Sequence, residues 1–435
     1  MPIDPGLVPL LFAVLAVLAI FTVPLAACIL FSAALLLWLN PAPLPPDFLL
    51  NYSLAMRLNS PALISIPLFA LAGELAVAAR LTEDLLDVAD AISGRGRHAV
   101  GMRTILGCTL FATVSGVGPA AVTAEGKRLI PEMLCAGYSR RTAAGAIACA
   151  AGLSIVIPAS VPLTVYAATA GLATNIVFTA SFVPGLLFAA AIFLVMLLHS
   201  HFRTGREVPH RAAAPRTGGV FRQVCRAVPL PVLLLASLFS GFLTAPEAAA
   251  CACAYAVVVG RLAGRLSRDE IRAALDRAAS MSAAILLMVG MGGLLAMLMQ
   301  SCGFSGRLAD FLYGLCGSET VAIIAINVIF LALGCFLDMP AIITMVAPLF
   351  LPLAAMCGLS PAHFGVIVVM NIAVGLVTPP QAWNIAAAAK TAGTGEWSAA
   401  RGALPFIAAM LVVLALVSHC PALSLWLPGV FGWEV

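Results

Sequence analysis

Apolar runs as long as a membrane is thick follow one another along most of the chain, and polar residues collect at their ends. Leu7 to Leu39 and Val321 to Leu337 carry no charged residue. Val228 to Gly260, a stretch of 33 residues, is interrupted only at Thr244-Ala245-Pro246-Glu247. A helix needs about 20 such residues to cross hydrocarbon, so the 435 residues allow about ten to fourteen helical elements in one polytopic unit. Composition agrees: 62% of residues are hydrophobic and 10% charged, against roughly 45–50% and about 25% in soluble domains. With a mean hydropathy of +1.07, the apolar residues cannot all be hidden in a core, and the lipid bilayer must be the main solvent. The fold class expected is an all-α polytopic membrane protein.

Charge then orients the chain. His199 to Arg226 holds Arg203, Arg206, Arg211, Arg216, Arg222 and Arg226 against a single acid, Glu207, which predicts a cytoplasmic loop. Arg261, Arg265, Arg268, Arg272 and Arg277 form the next basic cluster. If both clusters are cytoplasmic, Val228–Gly260 goes out and returns as two short crossings, turning at Ala245-Pro246, where proline resists helix continuation. One long tilted helix is the alternative. The first basic residue is Arg57, so the opening Met1-Pro2-Ile3-Asp4 lacks the positive region of a secretory signal, and the run behind it reads as retained membrane structure. A net charge of +4, scattered along the chain, gives no reason to expect nucleic acid as a partner. The 12 cysteines include no C-x-x-C pair and read as small hydrophobes.

Sliding one half of the chain against the other reveals an internal repeat at an offset of 221 residues. It places Pro119 on Pro340, Pro131 on Pro352, Gly137 on Gly358, Ser139 on Ser360 and Pro158 on Pro379. The expected division is a first half over 1–198, a basic cytoplasmic loop over 199–227 and a second half over 228–435. Each half has a long apolar helix, a Gly/Pro interruption, a short polar-ended segment, another apolar run and a second Pro interruption. Ser115-Gly116-Val117-Gly118-Pro119 pairs with Ile157-Pro158-Ala159-Ser160 in the first half, and Gly334 to Pro340 with Thr378-Pro379-Pro380-Gln381 in the second. Backbone groups freed by such breaks cannot face hydrocarbon and normally line a cavity, and paired breaks in two repeats point to a transporter's binding site.

Acids inside apolar segments are functional suspects. Asp338 follows Val321–Leu337 and precedes Pro340 by two residues, where a broken helix can aim its carboxylate into a cavity. Glu74 reads better as a structural acid, and Glu247 as a solvated or capping one. Na⁺ is a hard cation that prefers oxygen, and helix breaks supply free carbonyls. Ser115, Gly116 and Gly118 would form one oxygen-rich tip, and Gly375 and Thr378 its counterpart. Plain packing through small residues explains the same spacing equally well. His98, His199, His201, His210, His363 and His419 form no H-E-x-x-H, and neither a G-x-S-x-G elbow nor a phosphate loop is present. An enzyme is therefore not expected. Ion-coupled transport remains.

With these motifs in view, the chain resembles the large membrane subunit of the tripartite ATP-independent periplasmic (TRAP) transporters, the DctM-like permeases, over nearly its whole length. Carrying the resemblance in the first half are Ile66-Pro67-Leu68-Phe69-Ala70-Leu71-Ala72-Gly73-Glu74, the Ser115-Gly116 tip, Ile130-Pro131-Glu132-Met133 with Gly137-Tyr138, and Ile157-Pro158-Ala159-Ser160. The second half adds Gly241 to Ala249, Leu333-Gly334-Cys335-Phe336-Leu337-Asp338, Pro348, Pro352, Phe364-Gly365 and Thr378-Pro379-Pro380.

The resemblance implies an inverted-repeat ion-transporter fold with a scaffold and an elevator-type transport domain. Its two re-entrant helical hairpins would lie near 108–135 and 330–357, with a helix break near 375–384. It implies Na⁺-driven uptake of an organic acid delivered by a periplasmic solute-binding protein (DctP-like), a small four-helix membrane subunit (DctQ-like) as partner, the bacterial inner membrane as location, and no resident cofactor besides Na⁺ as coupling ion. Sodium would bind at Ser115, Gly116, Gly118, Gly334, Asp338, Gly375 and Thr378; substrate would meet Pro158, Ser160, Pro379, Pro380, Gln381 and Asn384. Lys127, Arg128 and Lys390 are the cations nearest these elements, and each also suits an interfacial anchor.

The chain departs from the family pattern at Val117, Ala159 and Gln381-Ala382, and Glu125 stands where an apolar residue is common. A stand-alone carboxylate or anion transporter of the same broad fold, working without a binding protein, is the alternative.

Overall fold

The computed structural model describes residues 5–21, 23–40, 60–94, 99–116, 118–202 and 220–433, and every regular element among them is helical. Arg203, Arg206, Glu207, Arg211 and Arg216 of the basic loop, with His98, His210 and Val117, lie outside the described residues. Among the described residues, seven helices are long and apolar enough to cross a membrane, and up to nine if each of two bent pairs is one span.

The uncharged opening run gives α1 (Val8–Ile20) and α2 (Leu25–Leu39), divided near Pro24. Next, α3 (Pro61–Ala78) meets α4 (Leu81–Ser93) at a bend of 71°, with Arg80 at φ 56 between them. Two antiparallel arms follow, α5 (Ala99–Ser115) and α6 (Gly118–Cys135), then α7 (Arg140–Ala151), the single turn α8 (Leu153–Val156), α9 (Val161–Ala170) and the long α10 (Thr174–Phe202).

Past the basic loop come α11 (Val220–Ala227), α12 (Pro229–Ser240), α13 (Ala245–Leu262) and the 34-residue α14 (Arg268–Ser301). The pair α15 (Phe304–Cys316) and α16 (Glu319–Gly334) is bent by 117°. The chain closes with α17 (Met339–Met356), α18 (Pro361–Gly375), α19 (Trp383–Ala392), α20 (Glu396–His419) and α21 (Ala422–Val430).

The offset of 221 reappears in the backbone. Helix α6 spans Gly118–Cys135 and α17 spans Met339–Met356, each with an internal proline, Pro131 and Pro352. Both then reverse in the same way: Gly137 and Gly358 take φ of +83 and +68, Tyr138 N donates to Met133 O, and Leu359 N donates to Ala354 O. Glycine reaches this left-handed conformation without a Cβ penalty and so satisfies the last carbonyls of the helix. The next helix of each half starts on a serine cap, Ser139 Oγ accepting from Thr142 N at 3.2 Å and Ser360 Oγ accepting from His363 N at 3.3 Å. The helices that lead into the two tips are Ala99–Ser115 and Glu319–Gly334.

Val228–Gly260 makes two helices, as its flanking charges require. The turn, however, lies at Gly241–Thr244 and not at Ala245-Pro246. Gly241 takes φ +68, whereas Pro246 sits in the first turn of α13, where its missing N–H costs nothing. Glu247 closes a capping box there, its Oε2 accepting from Thr244 N at 2.8 Å.

Close helix contacts through glycine join buried aromatics such as Phe178, Phe330 and Phe364 in the interior. Residues 142–167 are all buried, and α20 lies against α7 at Gly145 and Gly402, where a Cβ on either glycine would overlap the other helix's backbone. In lipid, where no hydrophobic force distinguishes a neighbouring helix from an acyl chain, such contact supplies the dispersion energy. Helix α3 is flanked by α13 and α14.

Candidate functional site

Two helix breaks, each met by a hairpin tip, form the centre of the molecule. At the first, Ile157 to Ser160 is non-helical and Ala159 takes φ +71. Ser160 repairs the damage on both sides: its hydroxyl donates to Ile155 O at 2.7 Å and its oxygen accepts from Leu163 N at 3.3 Å. The hairpin tip lies directly on this break. Gly116, at φ +60, has no room for a side chain, since a Cβ there would stand 3.0 Å from Ala159 O and 3.3 Å from Val161 N. Ser115 ends α5 and Gly118 opens α6 around it.

The second break repeats this plan with a more open end. Thr378 Oγ1 donates to Val374 O at 2.7 Å, which leaves its oxygen lone pairs free to accept. Ala382 takes φ +39, two residues beyond the position that matches Ala159, and Asn384 N closes the break by donating to Leu376 O at 3.1 Å. Gly334 meets Gly375 backbone to backbone, and Gln381 N donates to Cys335 O at 3.3 Å. Whereas residues 157–160 are buried, Thr378 and Pro379 are half-buried and Pro380, Gln381 and Asp338 are exposed, so the second break faces an opening. Asp338 stands at the N-cap of α17 without making a cap hydrogen bond.

The two breaks are tied together. Asn384, fully buried on α19, donates from Nδ2 to Ala148 O on α7 at 3.2 Å, and its Oδ1 has no partner. Of the residues expected from sequence, the structure thus brings Gly116 to Ser160, and Gly334, Gly375 and Gln381 to one another. It also shows Ser160 spending its hydroxyl on the break itself. Asn384's role as a link was invisible in the sequence, where only its position after Pro380 was informative.

Apart from the breaks, a cavity of about 430 Å³ lies between α3, α5, α6 and α14. Its walls include Gly73, Phe111, Thr123, Lys127 and the ion pair Arg277 Nε–Glu74 Oε2 at 2.6 Å. Glu74 is thereby a paired structural acid. Lys127 is exposed to this space and makes no ion pair among the described residues, whereas Arg128 turns away to Asp87 and Asp90 at 2.6 and 2.8 Å. Lys390 is exposed at the end of α19. Among the described residues no group of three or more His, Cys, Asp or Glu side chains converges as a metal site.

Comparison with known proteins accounts for this architecture. Residues 12–423 match the family model of the tripartite ATP-independent periplasmic transporter, DctM component. The isethionate TRAP transporter permease protein DctMQ of Oleidesulfovibrio alaskensis is 32% identical over 429 residues, 98% of this chain and 67% of that protein. The C4-dicarboxylate TRAP transporter large permease protein DctM of Pseudomonas aeruginosa is 31% identical over 371 residues, covering 85% of this chain and 87% of that one. In fold, the chain is similar to the crystal structure of the YdaH transporter of Alcanivorax borkumensis, with a TM-score of 0.62, 17% identity and 90% of each chain covered. These relatives are named as transporter permeases, and the apolar helices place this chain in the membrane as a multi-pass protein of the bacterial inner membrane. Paired broken helices, their glycine tips and a match over nearly the full length together make the chain a member of the DctM family, the large permease component of the TRAP transporters.

Proposed function

We propose that the protein is the permease of a Na⁺-coupled secondary transporter that imports an organic acid by an elevator-type alternation of access. The observation that carries this reading is the pair of helix breaks, each seated against a hairpin tip through glycine. Such breaks present carbonyl oxygens and half-helix ends where an ion and an anionic group are both accommodated without fixed charge. Sodium would bind at the tips and adjoining breaks, through carbonyls around Ser115, Gly116, Gly118, Gly334 and Gly375 and the hydroxyl of Thr378, with Asp338 at the open end. Substrate would pass Pro158, Ser160, Pro379, Pro380, Gln381 and Asn384 and the cavity where Lys127 stands. Backbone N–H groups at the start of α19 suit a carboxylate or sulfonate held weakly.

Selection would then fall to a periplasmic binding protein of the DctP kind, with a DctQ-like four-helix subunit bracing the scaffold around α3, α13 and α14. Proteoliposomes holding the permease and its small partner test this. Uptake should be slight until the cognate binding protein and a Na⁺ gradient are both supplied. Robust saturable uptake without any binding protein would replace this reading with a stand-alone transporter.

A further inference from the structure

Glu125 lies on the inward face of α6, 1% exposed, and neither of its carboxyl oxygens has a hydrogen-bond partner. Four acids around it are paired, Asp84 with Arg265, Asp87 with Arg128, Asp90 with Arg103 and Arg128, and Glu132 with the same two arginines, while Glu83 is exposed. No cation reaches Glu125 from any element packed on α6. On α5, Arg103 is engaged by Asp90 and Glu132, and the Cys108 thiol faces the carboxyl without a hydrogen bond of normal geometry. On α7, Arg140 reaches the carbonyls of Ala392 and Gly393, while Arg141 and Cys149 make no ion pair with Glu125; on α19 the exposed Lys390 makes none either. Helix α8 has no ionisable residue, and α4 contributes Glu83, Asp84, Asp87 and Asp90. From its own helix, Lys127 is exposed along the cavities and makes no ion pair among the described residues, and Arg128 is neutralised as above.

A carboxylate in such surroundings is too costly to leave bare, and a proton is the smallest ligand that removes the cost. A metal cation fits badly. The cavity between α4 and α6, about 270 Å³, is lined by Thr82, Glu83, Leu86, Ala124, Glu125, Lys127 and Arg128, so two positive side chains already stand beside the carboxylates there. Leu86 seals the inner end by packing onto Gly107, where a Cβ would stand 2.5 Å from its Cδ2. We propose that Glu125 is a proton-binding site of the first hairpin, loaded while α4 covers it and emptied when α4 and the hairpin separate. On separation water enters, the carboxyl O–H bond breaks, the proton passes to that water, and the carboxylate left behind is favoured by Lys127. Return of α4 requires the proton back. The hairpin's departure from α4 is then linked to pH, in addition to whatever ion the tips carry.

Two measurements test this, and only the second rests on the transport reading above. Infrared difference spectra of the purified full-length protein between mildly acidic and mildly alkaline buffer should contain a protonated-carboxyl band that is present at neutral pH and absent from Glu125→Gln and Glu125→Leu. Identical spectra in the wild type and both variants would overturn the site. In proteoliposomes with the binding protein and Na⁺, wild-type uptake should change several-fold across that pH range and Glu125→Leu should lose the dependence. An unaltered pH profile in a variant that still transports would overturn the linkage. If no version transports under any Na⁺ gradient, the coupling proposal of the preceding subsection fails while the infrared result still decides the proton site.

Discussion

Gly334 and Gly375 touch through their backbones: a methyl group built on Gly375 would lie 2.6 Å from the Gly334 carbonyl carbon and 2.7 Å from its oxygen. The contact seats the second hairpin tip on the second break, and nothing larger than hydrogen fits between them. Gly375→Ala should therefore reach the membrane in near-normal amount but lose most uptake, because the tip is levered off the break. Expression measured by immunoblot and uptake in proteoliposomes decide the matter, and normal uptake would show that the contact is incidental.

Thr378 spends its proton on Val374 O and keeps its lone pairs. Thr378→Val preserves shape and removes those lone pairs. The variant should raise the Na⁺ concentration needed for half-maximal uptake several-fold while leaving protein levels unchanged. An identical Na⁺ titration curve would assign the residue to packing alone.

Gly402 faces the Arg141 carbonyl across the α7–α20 contact, with no space for a Cβ. Overpacking a tight interior costs about 1–3 kcal/mol, and more when backbone must move. Gly402→Leu should lower the thermal midpoint of detergent-solubilised protein by several degrees or abolish its accumulation. A midpoint matching the wild type would mean that the two helices separate without penalty.

If the halves are inverted, the bases of the two hairpins open on opposite membrane faces. Cys135 ends α6 and is exposed; Met356, at the matching end of α17, is 39% exposed. In a cysteine-free background, Cys135 restored alone should react with an impermeant thiol reagent from the cytoplasmic side, and Met356→Cys from the periplasmic side. Reaction of both from one side would point to a parallel duplication.

Much of this was legible because proline and glycine act locally. Pro131, Pro352, Gly137 and Gly358 impose their geometry on whatever surrounds them, so the matching offset in sequence became matching helix ends in space. Thr244 and Glu247 likewise announced a helix start, although the proline beside them was easily mistaken for the turn itself. Non-local contacts left no such trace. That Asn384 reaches Ala148, or that Gly145 and Gly402 meet, depends on two helices far apart in the chain crossing at one point. The burial of Glu125 was equally hidden, since Lys127 and Arg128 beside it suggest a solvated face, and only the helix's rotation against α5 turns the carboxyl inward.

The hydrogen bond from Asn384 to Ala148 joins the helix leaving the second break to the helix entering the first. It acts as a crossbar, so a distortion imposed at either break is transmitted to the other through one short polar link and two stiff helices. Unequal displacement would strand a buried amide and a buried carbonyl in a medium with no water to receive them. The two halves of the core are thus coupled as a single rigid piece, and any displacement of one break without the other carries a penalty that the Gly–Gly contacts alone would not impose.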